Sequence, residues 1–217
     1  LMVMGMPADI ANATNRVGVI MQSIVGVLGF KKAKKLETSD ITPVLIPTLV
    51  GGLVGSLLAS YSPTEYLKPL LLVSMISMTL IMLIKPGVIS PPEGTIPHKI
   101  REKPSAWIAL FIAGVYGGFV QAGVGFILIA ALAGTLRYDL IRTNALKMLC
   151  TIAFTIVSLA VFIWNDQILW IPGLLLSIGT MVGSHLAVKF ALKANPKTLK
   201  WFLFVMTVCG SIAALLS

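Results

Sequence analysis

The sequence predicts an all-α integral membrane protein: a helical bundle of about seven to eight transmembrane segments, built from two inverted repeats with broken or re-entrant helices. Three observations lead there. Long stretches lack any charge, those stretches do not alternate as barrel strands do, and a set of landmarks recurs at offsets of 128 to 132 residues. Of the 217 residues, 57% are hydrophobic and only 12% are charged, with a mean hydropathy of +0.93. A soluble domain carries roughly twice that share of charge, about 25%.

Residues Ile41 to Thr64, Pro69 to Ile84, Pro104 to Leu136, Met148 to Asn165, Gln167 to Val188 and Trp201 to Ser217 contain no Asp, Glu, Lys or Arg. A membrane-crossing helix needs about 20 mostly apolar residues, and a soluble core has no room for six helices that are apolar on every face. Barrel strands alternate apolar and polar residues, whereas LLLVSMISMTLIMLI does not. Each segment must therefore satisfy its own backbone, which means helices.

The opening residues LMVMGM are apolar and read as the tail of a helix that begins before Leu1. Helical spans follow at Ile10 to Phe30, Ile41 to Ser60 and Tyr66 to Ile84. The proline-rich stretch Lys85 to Pro104 divides the chain, giving a first repeat at 1–84, an inter-repeat loop at 85–104 and a second repeat at 105–217. Pro104 to Leu136 is too long for one span and too short for two, and YGGFVQAGVGF at its middle predicts two half-length helices meeting at a break. Spans at Arg142 to Trp164, Ile168 to Leu192 and Leu199 to Leu216 complete the bundle. Gly5 and Thr14-Asn15 correspond to Gly134 and Thr143-Asn144, VGGLVGSLLA to IGTMVGSHLA, and Lys68 to Lys200. Recurrent small residues at helix interfaces are the alternative to duplication.

The formal net charge of +9 comes from basic residues at the ends of apolar runs. That placement serves topology and anionic lipid headgroups and argues against nucleic acid as a partner. If Pro104 to Leu136 dips in and returns, the basic residues flanking the spans all fall on one face, which the positive-inside rule favours. It also makes the repeats inverted, a plan common among secondary transporters. KKAKK at 31–35 reads as a topology signal, and Cys150 and Cys209 read as small buried residues.

Broken helices expose N–H groups at mid-membrane, where they receive anions. Gly117, Gly118, Gly123 and Gly125 are the candidates for the break, with tight helix packing as the alternative, and Gln121 adds an amide donor. Lys147 either snorkels to the basic face or points inward to neutralise an anion, and Arg16 is its analogue in the first half. Thr14, Asn15, Thr143 and Asn144 either donate to substrate oxygens or cap and bridge helices. Asp9 and Asp139 read as helix caps. His185 reads as a packed, hydrogen-bonded histidine, with proton carriage as the alternative.

The segment YGGFVQAGVGFILIAALAG, followed by RTNALKML, resembles the second-repeat signature of the TauE/SafE family of sulfite and organosulfonate exporters. PADIANATNRVG resembles the region after the matching signature of the first repeat. The resemblance covers essentially the whole chain and is specific between residues 117 and 147. Gln121 and Val124 stand where the family often has glycine, and the first-repeat glycine run falls before residue 1. The resemblance implies export of sulfite or an organosulfonate across the cytoplasmic (inner) membrane by alternating access, with an anion channel or a carrier of an unrelated small metabolite as the alternative. No zinc-ligand spacing, Ser-His-Asp set or paired carboxylates point to an enzyme, and no metal or cofactor is implied. Expected partners are the anion and membrane lipids, with a homodimer as one option for assembly.

Overall fold

The computed structural model describes residues 1, 4–36, 41–63, 96–121 and 123–195, with isolated positions between 65 and 73 and between 198 and 209. Most of the spans expected at Tyr66 to Ile84 and Leu199 to Leu216, together with Lys68, Lys200 and the first part of the inter-repeat loop, lies outside the described residues. Six helices are described: α1 (Ala8–Lys32), α2 (Ile41–Tyr61), α3 (Pro104–Phe119), α4 (Val124–Ile129, continued as a π-helical turn over Ala130–Thr135), α5 (Leu140–Trp164) and α6 (Trp170–Lys193). Helices α1, α2, α5 and α6 are long and apolar enough to cross a membrane.

The ends of these helices follow from local chemistry. Asp139 caps α5, its carboxylate accepting from the N–H groups of Ile141 (2.9 Å) and Arg142 (3.0 Å). Pro104 opens α3 at a position where the missing N–H costs nothing. Lys31 and Lys32 close α1, and Lys193 closes α6, at the negative ends of their helix dipoles. Asp9 makes no cap. It sits in the first turn of α1 behind Pro7, where its charge suits the dipole while Oδ1 has no hydrogen-bond partner.

Helices α2 and α3 run parallel with their backbones almost touching. A Cβ at Gly51 would strike the Phe111 carbonyl, one at Gly55 the Val115 carbonyl, and one at Gly118 the Gly52 carbonyl. The repeated small-x3-small spacing (Gly51 and Gly55, Gly114 and Gly118) is what permits the approach. Helices α1 and α6 also run parallel: Gly173 meets Val17, Thr180 donates to the Gly18 carbonyl (3.1 Å) and Ser184 to the Gln22 carbonyl (2.6 Å). Helix α5 lies parallel to α2, with Phe154 against Gly52, and antiparallel to α1, with Met148 against Gly26 and Phe162 beneath Arg16. The first long helix of each half thus packs on the second long helix of the other.

Between α3 and α4 the chain folds back. The break spans Val120 to Gly123, with left-handed backbone at Gln121 (φ 63°) and Gly123 (φ 76°). Val124 returns to pack near Gly117, and the N–H of His98, ahead of α3, bonds the carbonyl of Leu136, beyond α4, at 2.9 Å. The core packs Leu110, Leu128, Leu132, Leu146 and Phe154 around this hairpin. A second cluster joins Phe30 to Ile129, Ala133, Leu140 and Val188, so the end of α1, the foot of α4, the start of α5 and the end of α6 share one end of the bundle. Cys150 is buried as expected, whereas Cys209 is exposed. His185 lies on the exposed face of α6, not packed in the interior.

Candidate polar site at the hairpin tip

The last carbonyls of α3 have no helical partners, because a helix leaves its final four C=O groups unpaired. Helix α1 supplies the donors. Arg16, fully buried, donates from Nη1 to the Gly117 carbonyl (2.6 Å) and from Nη2 to the Gly118 carbonyl (2.7 Å). Asn12 Nδ2 donates to the Phe119 carbonyl (2.9 Å). The guanidinium also lies 5.2 Å from the centre of the Phe162 ring, and its Nε has no protein partner. A cation against the negative end of a helix is stabilising, by up to about 2 kcal/mol in a buried setting.

Beside the first turn of α4 stands Lys147. A Cβ at Gly125, in the first turn of α4, would lie 3.6 Å from Lys147 Cδ and 3.9 Å from Nζ. Nζ donates to Asn144 Oδ1 (2.9 Å), while Asn144 Nδ2 donates to the Leu140 carbonyl (2.8 Å). Lys147 thus points inward, with the N-terminal turn of α4 beside it. It also lines a cavity of about 290 Å³ shared by Gln22, Asn144, Thr180, Ser184 and Phe190. Neither Arg16 nor Lys147 has a carboxylate partner among the described residues.

The expected residues separate into groups. Gln121 and Gly123 form the break, Arg16 meets the end of α3, and Gly125, Asn144 and Lys147 meet beside the first turn of α4. Gly117 and Gly118 lie one turn before the break: their missing side chains make room for the Phe154 ring and for α2, and their carbonyls are what Arg16 grips. Thr14 faces α6 and accepts from the Leu169 N–H at 3.0 Å. Thr143 is buried, its hydroxyl 3.3 Å from the Tyr138 carbonyl, and Asn15 is half-buried one position from Arg16. Asn12, Gln22, Thr180 and Ser184 escaped the sequence reading. Asn12 sits one turn before Arg16, and that i, i+4 spacing is the signal that would have found it.

A family model described as "Sulfite exporter TauE/SafE" matches residues 1–214. The chain is 25% identical over 211 residues to "Probable membrane transporter protein YfcA" of Escherichia coli (strain K12), covering 97% of this chain and 77% of that protein. It is 20% identical over 217 residues to "Probable membrane transporter protein ORF9" of Sinorhizobium sp, covering 99% and 81%. A "Probable membrane transporter protein" of Haemophilus influenzae is 24% identical over 209 residues, covering 95% and 80%. No solved structure matches the chain significantly.

Proposed function

This chain belongs to the sulfite exporter TauE/SafE family, and from that premise we propose that it exports a small sulfur oxyanion, sulfite or an organosulfonate, across the inner membrane. That it is a multi-pass membrane transporter follows from the family and its membrane-transporter relatives, and we read it as a carrier in place of an enzyme. The observation that carries the anion is the pair of inward cations. Arg16 lies against the end of α3 and Lys147 against the first turn of α4, neither with a carboxylate among the described residues to balance it. A charge held away from water is costly unless paired, and a bound anion would pair it. The first turn of α4 would add its dipole, and Asn144 holds the Lys147 ammonium beside it.

Alternating access by inverted repeats is the mechanism we infer for this site. The antiparallel run of α1 against α5 and the exchange of packing partners between halves support it. So does the parallel run of α2 and α3, which calls for an odd number of crossings between them, and the stretch expected as a span at 66–84, about 19 residues, has the length for one.

Thermal unfolding of the purified protein with sulfite, sulfate, thiosulfate, taurine and sulfoacetate tests the cargo. A ligand at about 100 times its Kd adds about 2.7 kcal/mol of stability. We expect one sulfur oxyanion to raise the melting temperature and Lys147→Ala to abolish the shift. Equal curves with all five ligands would reject the cargo.

A further inference from the structure

We propose that Ser23 and Thr155 are substrate-contacting hydroxyls, completing an oxyanion site between α1, α5 and the first turn of α4. The proposal rests on the reading of the tip as an anion site and names the neutral donors that reading lacks. Both residues have no exposed surface, and neither hydroxyl has a hydrogen-bond partner. Their neighbours behave differently. Thr48, Ser56, Thr151, Ser158 and Ser177 each return their hydroxyl to a carbonyl one turn back, the usual way a helix satisfies such a group in lipid. Native proteins leave few buried polar groups unpaired.

Helical register brings the two together. Ser23 stands seven residues from both Arg16 and Phe30, and Thr155 seven from both Met148 and Phe162, so each lies on the face that its two neighbours define. Across the antiparallel pair, Arg16 lies over Phe162 and Gly26 meets Met148. Ser23 and Thr155 therefore occupy the same interval between those contacts. Along α4, Phe30 packs with Ile129 and Ala133 near the feet, while Arg16 grips Gly117 and Gly118 near the tip. Ser23, roughly 10 Å from each along its helix, is thus level with the turn that holds Gly125 against Lys147.

Two further unpartnered groups lie toward the tip. Gln121 is 5% exposed with neither amide atom partnered, and Arg16 retains its unpartnered Nε–H. Two hydroxyls between α1 and α5, with the Lys147 ammonium beside Gly125, offer hydrogens to a compact ion bearing three or four oxygens. A cation would find two positive charges instead.

Cysteine accessibility in reconstituted vesicles tests this, in a chain carrying Cys150→Ala and Cys209→Ala. Ser23→Cys and Thr155→Cys are each exposed to anionic and cationic methanethiosulfonates, with Leu175→Cys on the outer face of α6 as the lipid-facing reference. A thiol reacts only as its hydrated thiolate, so we expect both buried variants to react about tenfold faster than the reference, and faster with the anionic reagent. Rates no higher than that of Leu175→Cys, or a preference for the cationic reagent, would overturn the site. Protection by sulfite would tie the site to the proposed cargo. Fast anionic labelling without such protection would uphold the site and count against the cargo alone. As a check independent of thiol chemistry, Ser23→Ala and Thr155→Val should raise the KM for anion flux about tenfold without lowering the melting temperature. Unchanged KM in both variants would refute substrate contact.

Discussion

Arg16 shows how one side chain joins two helices that are far apart in sequence. Its planar fork meets adjacent carbonyls of α3 at 2.6 and 2.7 Å, a geometry that a lysine, with a single point of charge, cannot reproduce. Arg16→Met strips the partners from both carbonyls, and hydrogen bonds to charged groups contribute about 1.5–3 kcal/mol each. We therefore expect a loss of about 3 kcal/mol or more, read as a fall in melting temperature, with Arg16→Lys recovering only part of it. An unchanged melting temperature for Arg16→Met would contradict the clamp. The sequence pointed to Arg16 as a basic residue in the first half, and to Lys147 as either snorkelling or inward. It did not show that α3's carbonyls are Arg16's partners, because a contact between residues 101 positions apart leaves no local pattern. Ser23 and Thr155 were equally silent: a lone hydroxyl in an apolar helix looks the same whether it bonds its own backbone or faces another helix.

At the scale of the element, the long helices were legible to within two residues at each end, because lipid imposes both their length and their composition. The break was legible too, but its position was read too broadly. Four glycines marked it, yet among them only Gly123 has left-handed backbone, a turn it shares with Gln121, while Gly117 and Gly118 serve close packing. Composition alone does not separate these uses, since both need the absence of a side chain. The distinction predicts two opposite responses to one added methyl group. Gly55→Ala, where the methyl would strike the Val115 carbonyl, should cost about 1–3 kcal/mol, as overpacked sites do. Gly179→Ala on α6, where nothing lies within 4 Å, should be neutral or slightly stabilising through helix propensity. Melting temperatures of the two variants measured side by side check this, and a similar loss at both positions would contradict it.

Among the described residues, the basic helix ends gather at one pole: Lys31 and Lys32, Arg101 and Lys103 before α3, Arg137 after α4, and Lys189 and Lys193. The opposite pole carries Asp9 and Asp166, with Ser60 donating to Gln167 at 2.9 Å. Charge had suggested this pattern, and the fold-back of α3 and α4 realises it in space. In oriented vesicles we expect Lys189→Cys to react only from the cytoplasmic face and Asp166→Cys only from the other. Labelling of both from one side would refute the polarity. The hairpin carries a consequence for biosynthesis as well. At 16 residues α3 is roughly 24 Å long, short of the ~30 Å hydrocarbon layer, so it cannot insert as a free-standing span. Its glycine face has a seat on α2, made earlier, but Phe154, which fills the space at Gly117, belongs to α5, made later. The hairpin can therefore lock only after α5 has left the ribosome, and a nascent chain truncated before residue 140 should hold α3 and α4 in a state that proteases and chaperones still recognise.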